Sequence, residues 1–201
     1  MPAEPPPSGA RRRRFAKPVP AERAYVAFRA PAQHHPDWLA LEAIAELFFG
    51  GPSSRLVRRL VTEMEAATQV DGMVTPLADP GLFEVFATLR QGHEAELVED
   101  VLLGEAARVA AGEVSAADLA KVKRKLETSF WMDLVTGDGK AEALGHFEST
   151  LGDWRRLTEV AERTRALTVD DLARAATHYL REEALVSVVA EPSDEDEEMD
   201  S

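Results

Sequence analysis

Leu41, Ile44, Ala45 and Phe48 recur at the spacing of one helical face. They predict a helix from Asp37, read as its cap, to about Phe49. Before it, Ala24–Ala30 (AYVAFRA) reads as a first strand, ended by Pro31. After it, Gly50-Gly51-Pro52 breaks the chain, and Ser53 or Ser54 caps a second helix through about Met64, with Leu56, Val57 and Leu60 on one face. The pattern then changes period. Val70–Val74 and Leu82–Leu89 read as two strands joined by Leu77-Ala78-Asp79-Pro80-Gly81, an antiparallel hairpin with a long turn. In the second, Phe83, Val85, Ala87 and Leu89 share one face while Glu84 and Thr88 take the other, as on a half-buried sheet.

Helical periodicity returns over Glu94–Ala110, which stops at Gly112. Ser115-Ala-Ala-Asp118 is a capping-box-like start for a helix to about Val135. Gly137 and Gly139 precede helices over Lys140–Leu151 and Trp154–Arg165, Thr168 caps one to Leu180, and Leu185–Val189 closes the chain as a strand. Phe130, Trp131, Phe147 and Trp154 fall at spacings that suit a core. Strands and helices do not alternate, so the expected class is α+β, a mostly antiparallel sheet with several helices packed on one face. No internal repeat is present.

Composition narrows the function classes. The chain has 201 residues, 45% hydrophobic, with a net charge of −13, which suits one domain with tails. Much of the acidic excess lies in Asp194–Asp200, so residues 193–201 are expected to be an acidic, disordered tail. Residues 1–22, rich in Pro and Arg, are expected to be a linker. The run Arg11–Arg14 is too short, and the body too acidic, to predict a nucleic-acid surface. With no cysteine, disulfides and thiolate zinc sites are excluded. No apolar run approaches the about 18 residues of a membrane span, and the chain is expected to carry no signal peptide of its own. It is expected to be soluble, cytoplasmic as it stands, and periplasmic if it is a piece of an exported protein.

Several strings, in order, carry a resemblance. They are Pro31, His34-His35-Pro36 and Asp37 ahead of the first helix; Gly50-Gly51 and Ser53-Ser54-Arg55-Leu56; Asp79-Pro80-Gly81-Leu82-Phe83; Gly112-Glu113-Val114-Ser115 leading to Lys121-Val122-Lys123; and Leu167-Thr168, Asp171-Leu172, Tyr179-Leu180. Together, over Ala24–Pro192, the chain resembles the C-terminal-type, non-catalytic domain of the pitrilysin/insulinase and mitochondrial-processing-peptidase zinc peptidases. The resemblance implies the LuxS/MPP-like metallohydrolase fold and a domain over residues 23–192. The departures matter as much. The catalytic half of that family carries His-x-x-Glu-His, in which two histidines hold zinc and the glutamate activates water. None of His34, His35, His93, His146 and His178 forms that motif. Many second-half domains also supply an Arg and a Tyr that grip the substrate. Here those positions hold Val61 and Thr68.

Candidate chemistry outside the resemblance is sparse. His34 and His35 with Asp37 and Glu42 are the one cluster with metal-ligand groups, and they read better as a polar loop before a helix; His146 with Glu142 reads as a surface pair. The glycine break is followed by a helix N-terminus but lacks the Gly-Lys-Ser/Thr of a phosphate loop. The expectation is therefore no catalytic and no metal-ligating residue on this chain, with substrate contact confined to Gly50, Gly51, Ser53, Ser54 and Arg55. The resemblance implies a chamber-forming domain of a zinc metallopeptidase that encloses a peptide substrate and assembles with a zinc-bearing half, in the same polypeptide or a separate chain. Zinc is expected in that partner half, and the chain alone is expected to be inactive. The alternative is a stand-alone peptide- or protein-binding module that has lost proteolysis.

Overall fold

The computed structural model describes residues 9–193. The Pro-rich start and the acidic run from Asp194 lie outside them. Five strands, β1 (Arg11–Lys17), β2 (Arg23–Ala30), β3 (Ala67–Val74), β4 (Gly81–Leu89) and β5 (Val186–Pro192), form one sheet in the order β1-β5-β2-β4-β3. Every pairing is antiparallel except β1 with β5. The helices are α1 (Pro36–Phe49), α2 (Arg55–Val57), α3 (Ala95–Ala110), α4 (Ala116–Asp133), α5 (Gly137–Leu151), α6 (Val160–Ala166) and α7 (Val169–Tyr179). This is the expected α+β class.

Alternation along the strands sorts the two sheet faces. Val26 and Phe28 of β2 and Phe83 and Val85 of β4 are fully buried, and they join Leu41, Ile44 and Phe48 of α1, Leu102 of α3 and Leu172 of α7 in one core. Each such side chain contributes on the order of 1.5–3 kcal/mol by leaving water. The opposite face carries Tyr25, its ring tilted against that of Phe86 with centroids 5.0 Å apart, and Phe86 is 44% exposed there.

Several sequence expectations need correction. The stretch read as a linker contains β1, whose residues are all exposed. Arg12 and Arg14 share the helix-bearing face, where Arg12 Nε donates to Glu99 of α3 at 2.7 Å and Arg14 pairs with Glu96 and Glu191. No apolar alternation announces such a strand, because ion pairs rather than burial hold it. Ser193, assigned to the tail, donates its N–H to Lys17 O at 2.9 Å. His35, not Asp37, caps α1: its Nδ1 accepts from Asp37 N at 3.1 Å, and Pro36 opens the helix. The second helix changes after Val57 into a π-helical turn over Arg58–Glu63, closed by Met64 N to Arg59 O. Trp131 and Trp154, expected in the core, are 52% and 43% exposed. They lie where α4, α5 and the short 3-10 turn Trp154–Glu159 project beyond the sheet, and α5 buries no residue at all. Trp131 packs edge-on against its neighbour Phe130, and Trp154 lies under the Arg155 guanidinium at 4.9 Å. Among the described residues no helix is long and apolar enough to cross a membrane.

Candidate functional site

The glycine break is the hub of a charged cleft of about 290 Å³ between α1, α2, α3 and α4. α1 ends as Gly50 N–H donates to Glu46 O at 2.9 Å. Gly51 then takes a φ of +119°, a conformation open to glycine and strained for other residues. The reversal is fixed by Ser54, whose N–H and hydroxyl both donate to Gly51 O, at 2.9 and 2.6 Å. Ser54 is the N-cap of α2 by position, yet its side chain serves the turn rather than the helix.

Charges converge on this turn. Lys121 Nζ donates to Ser53 Oγ at 2.8 Å, and Lys125 Nζ reaches both Glu46 Oε1, at 2.6 Å, and Gly50 O. One helical turn apart on α4, the two lysines share a face. Arg55 donates to Glu113 O at 2.8 Å and lies 3.5 Å from Glu105 Oε2 and 3.6 Å from Asp118 Oδ2. Glu105 has a side chain only 6% exposed and is also met by Arg59 at 3.5 Å and Arg108 at 3.6 Å. A buried carboxylate with three guanidinium partners is heavily compensated, and Arg55 and Arg108 are themselves shared with Asp118 and Glu113.

The structure thus brings Gly50, Ser53, Ser54 and Arg55 to one cleft, with Gly51 shaping the turn between them. Lys121, Lys125, Glu105, Arg59 and Arg108 were missed by sequence reasoning. One signal was available: Glu99 and Glu105 both fall on the apolar face of α3, and a buried carboxylate there requires a cation. The arrangement offers interleaved cations and carboxylates around oriented backbone groups.

The described residues do not fit zinc, since no three His, Asp or Glu side chains converge. His35 is spent on its cap, Asp37 accepts from Arg174 at 2.8 Å, and His146 Nε2 lies 2.9 Å from Gln33 Oε1. Glu42 points elsewhere, into a separate cavity. Thr68 donates to Thr88 O at 3.2 Å, and Val61 packs half-buried against the core.

Comparison with known proteins places this geometry. A sequence model described as the peptidase M16 inactive domain matches residues 1–126. The zinc protease PqqE of Helicobacter pylori is 28% identical over 169 residues, covering 83% of this chain and 37% of that protein. The beta subunit of the mitochondrial-processing peptidase of Saccharomyces cerevisiae is 28% identical over 117 residues, 58% of this chain and 25% of that one. The chain therefore spans well under half the length of these relatives. The crystal structure of a protease from Helicobacter pylori superposes with a TM-score of 0.86 at 27% identity, covering 94% of this chain and 46% of that one. The family match covers more than half of the chain and the superposition nearly all of it, and the chain belongs to the peptidase M16 family as its inactive, C-terminal-type domain.

Proposed function

We propose that this chain forms one side of the substrate chamber of an M16 zinc metallopeptidase and works only with a zinc-bearing half. The observation that carries the reading is one of proportion. The chain reproduces 46% of a longer protease with a TM-score of 0.86, while its described residues offer no zinc site. Water activation must then come from the other half. This chain supplies surface. Its uncovered sheet face presents Arg11, Arg13 and Lys17 of β1 and Arg23 and Tyr25 of β2, cations and an aromatic suited to enclosing an extended peptide. The outer edge of β3 pairs with no other strand among the described residues and is available for strand addition. Gly50, Gly51, Ser53, Ser54 and Arg55 contact substrate through the charged cleft.

The pure chain, given zinc and a quenched fluorescent peptide, is expected to show no chelator-sensitive turnover. The assembly isolated from its source is expected to contain a second M16 half and about one zinc per pair. Robust turnover by the chain alone, or a lone metal-free 22.0 kDa species, would overturn the proposal. The second reading, a binding module without proteolysis, is favoured by Val61 and Thr68, which cannot supply the guanidinium and phenol that the family places there. It predicts that lone species, with peptide binding retained.

A further inference from the structure

A second cavity, also of about 290 Å³, lies between α1, α4, α5 and the segment 154–166. That volume stands at the lower end of the about 300–1,000 Å³ of ligand pockets and has room for a long side chain. Its walls are apolar and aromatic: Trp38, Leu39, Leu126, Phe130, Phe147 and Leu151. Glu42 of α1 opens into it. Glu42 Oε2 is shielded from solvent and has no hydrogen-bond partner among the described residues.

An uncompensated carboxylate in such surroundings is costly, and proteins normally pair it. Burial, and secondarily Glu46 one turn along α1, push the Glu42 carboxyl up to about 7. Asp133 of α4, Arg156 of the 3-10 turn and Arg163 of α6 also border the cavity, and neither arginine relieves that burial. His146 of α5 sits at the rim through its bond to Gln33. Glu42 is therefore left without an ion-pair partner among the described residues.

We propose that this cavity is a binding site for an alkylammonium group, the lysine side chain of a peptide or protein partner, with the methylenes against Leu39, Phe130 and Phe147 and the ammonium on the Glu42 carboxylate. A neutral donor would satisfy an oxygen but not the charge. An ammonium has three donors, and the aromatic walls add cation–π attraction. The inference stands apart from the chamber reading, since it requires only this cavity.

The full-length chain is titrated calorimetrically with Nα-acetyl-lysine methylamide, with n-hexylammonium and with n-hexanol, the uncharged match for the stem. The two amines are expected to bind saturably, with hexanol weaker by about tenfold or more. Affinity is expected to rise from about pH 6 to about pH 8 as Glu42 ionises, while the ammonium, with a pKa of about 10.4, stays charged. Glu42→Gln, which conserves shape, is expected to weaken amine binding by about tenfold or more and to abolish its pH dependence. Equal binding of hexanol, full amine affinity in Glu42→Gln, pH dependence that survives in that variant, or no saturable amine binding would each overturn the assignment.

Discussion

Glu42 also sets a stability signature of its own. Its carboxyl titrates at about 7 in the fold against 4.5 in the unfolded chain. Between those values the native state binds more protons. The contribution is therefore fully present below the unfolded value and lost as pH rises through the folded one. The melting temperature is expected to fall across that window. Glu42→Gln should flatten the decline and exceed the parent at about pH 8, by roughly 1–3 kcal/mol. Thermal melts of both proteins at several pH values decide it, and an unchanged profile in the variant would count against the buried charge. From sequence, Glu42 with His34, His35 and Asp37 has metal-ligand groups but reads better as part of a polar loop before a helix. Nearness along the chain did not become convergence: His35 turned to its cap, Asp37 to Arg174, and Glu42 inward, five residues beyond Asp37 along α1. What residue identity did announce was the local chemistry of the caps. Ser115 accepts from Asp118 N at 3.0 Å, and Thr168 with Asp171 completes a capping box.

At the scale of elements, legibility followed the source of the stabilising energy. β4 was readable because one face is buried and the other is not, which prints an alternation into the sequence. α1 was readable because its apolar stripe meets the sheet. β1 was not, because its hold is electrostatic. Glu99 has a side chain 5% exposed, and Arg12 is its partner. Removing Arg12 leaves that carboxylate buried and unpaired, so Arg12→Ala is expected to cost about 1–3 kcal/mol and to lower the hydrogen-exchange protection of the β1 amides. Unchanged stability and protection would mean that the strand's backbone bonds to β5 suffice. The helical spacing of Trp131 and Trp154 misled for the converse reason. A stripe that faces outward has the same period as one that faces a core, and periodicity cannot say whether a neighbour exists.

For the whole molecule, the order of elements was recoverable because each turn carries its own punctuation, from Gly50-Gly51-Pro52 to Asp79-Pro80-Gly81. The charged cleft was only half recoverable: its glycine turn is continuous in sequence, whereas Glu105, Lys121 and Lys125 reach it from α3 and α4. The pairing of the first strand with the last has a mechanical consequence. β1 and β5 run parallel, so Arg11 lies beside Val186 and Lys17 beside Pro192. Tension applied through the two chain ends pulls these neighbours in opposite directions along their length, and their hydrogen bonds must fail together, in shear. An attachment at Arg23 loads the sheet differently, because β2 is antiparallel to β5 and Arg23 sits opposite Ala190 at the same end. Force between positions 23 and 192 opens that ladder bond by bond, like a zip. Optical-tweezer pulling should therefore give a markedly higher rupture force through the termini than through that pair, and equal forces would show that another part of the fold yields first. A domain with this wiring can be tugged by whatever it is tethered to at either end without its sheet coming apart.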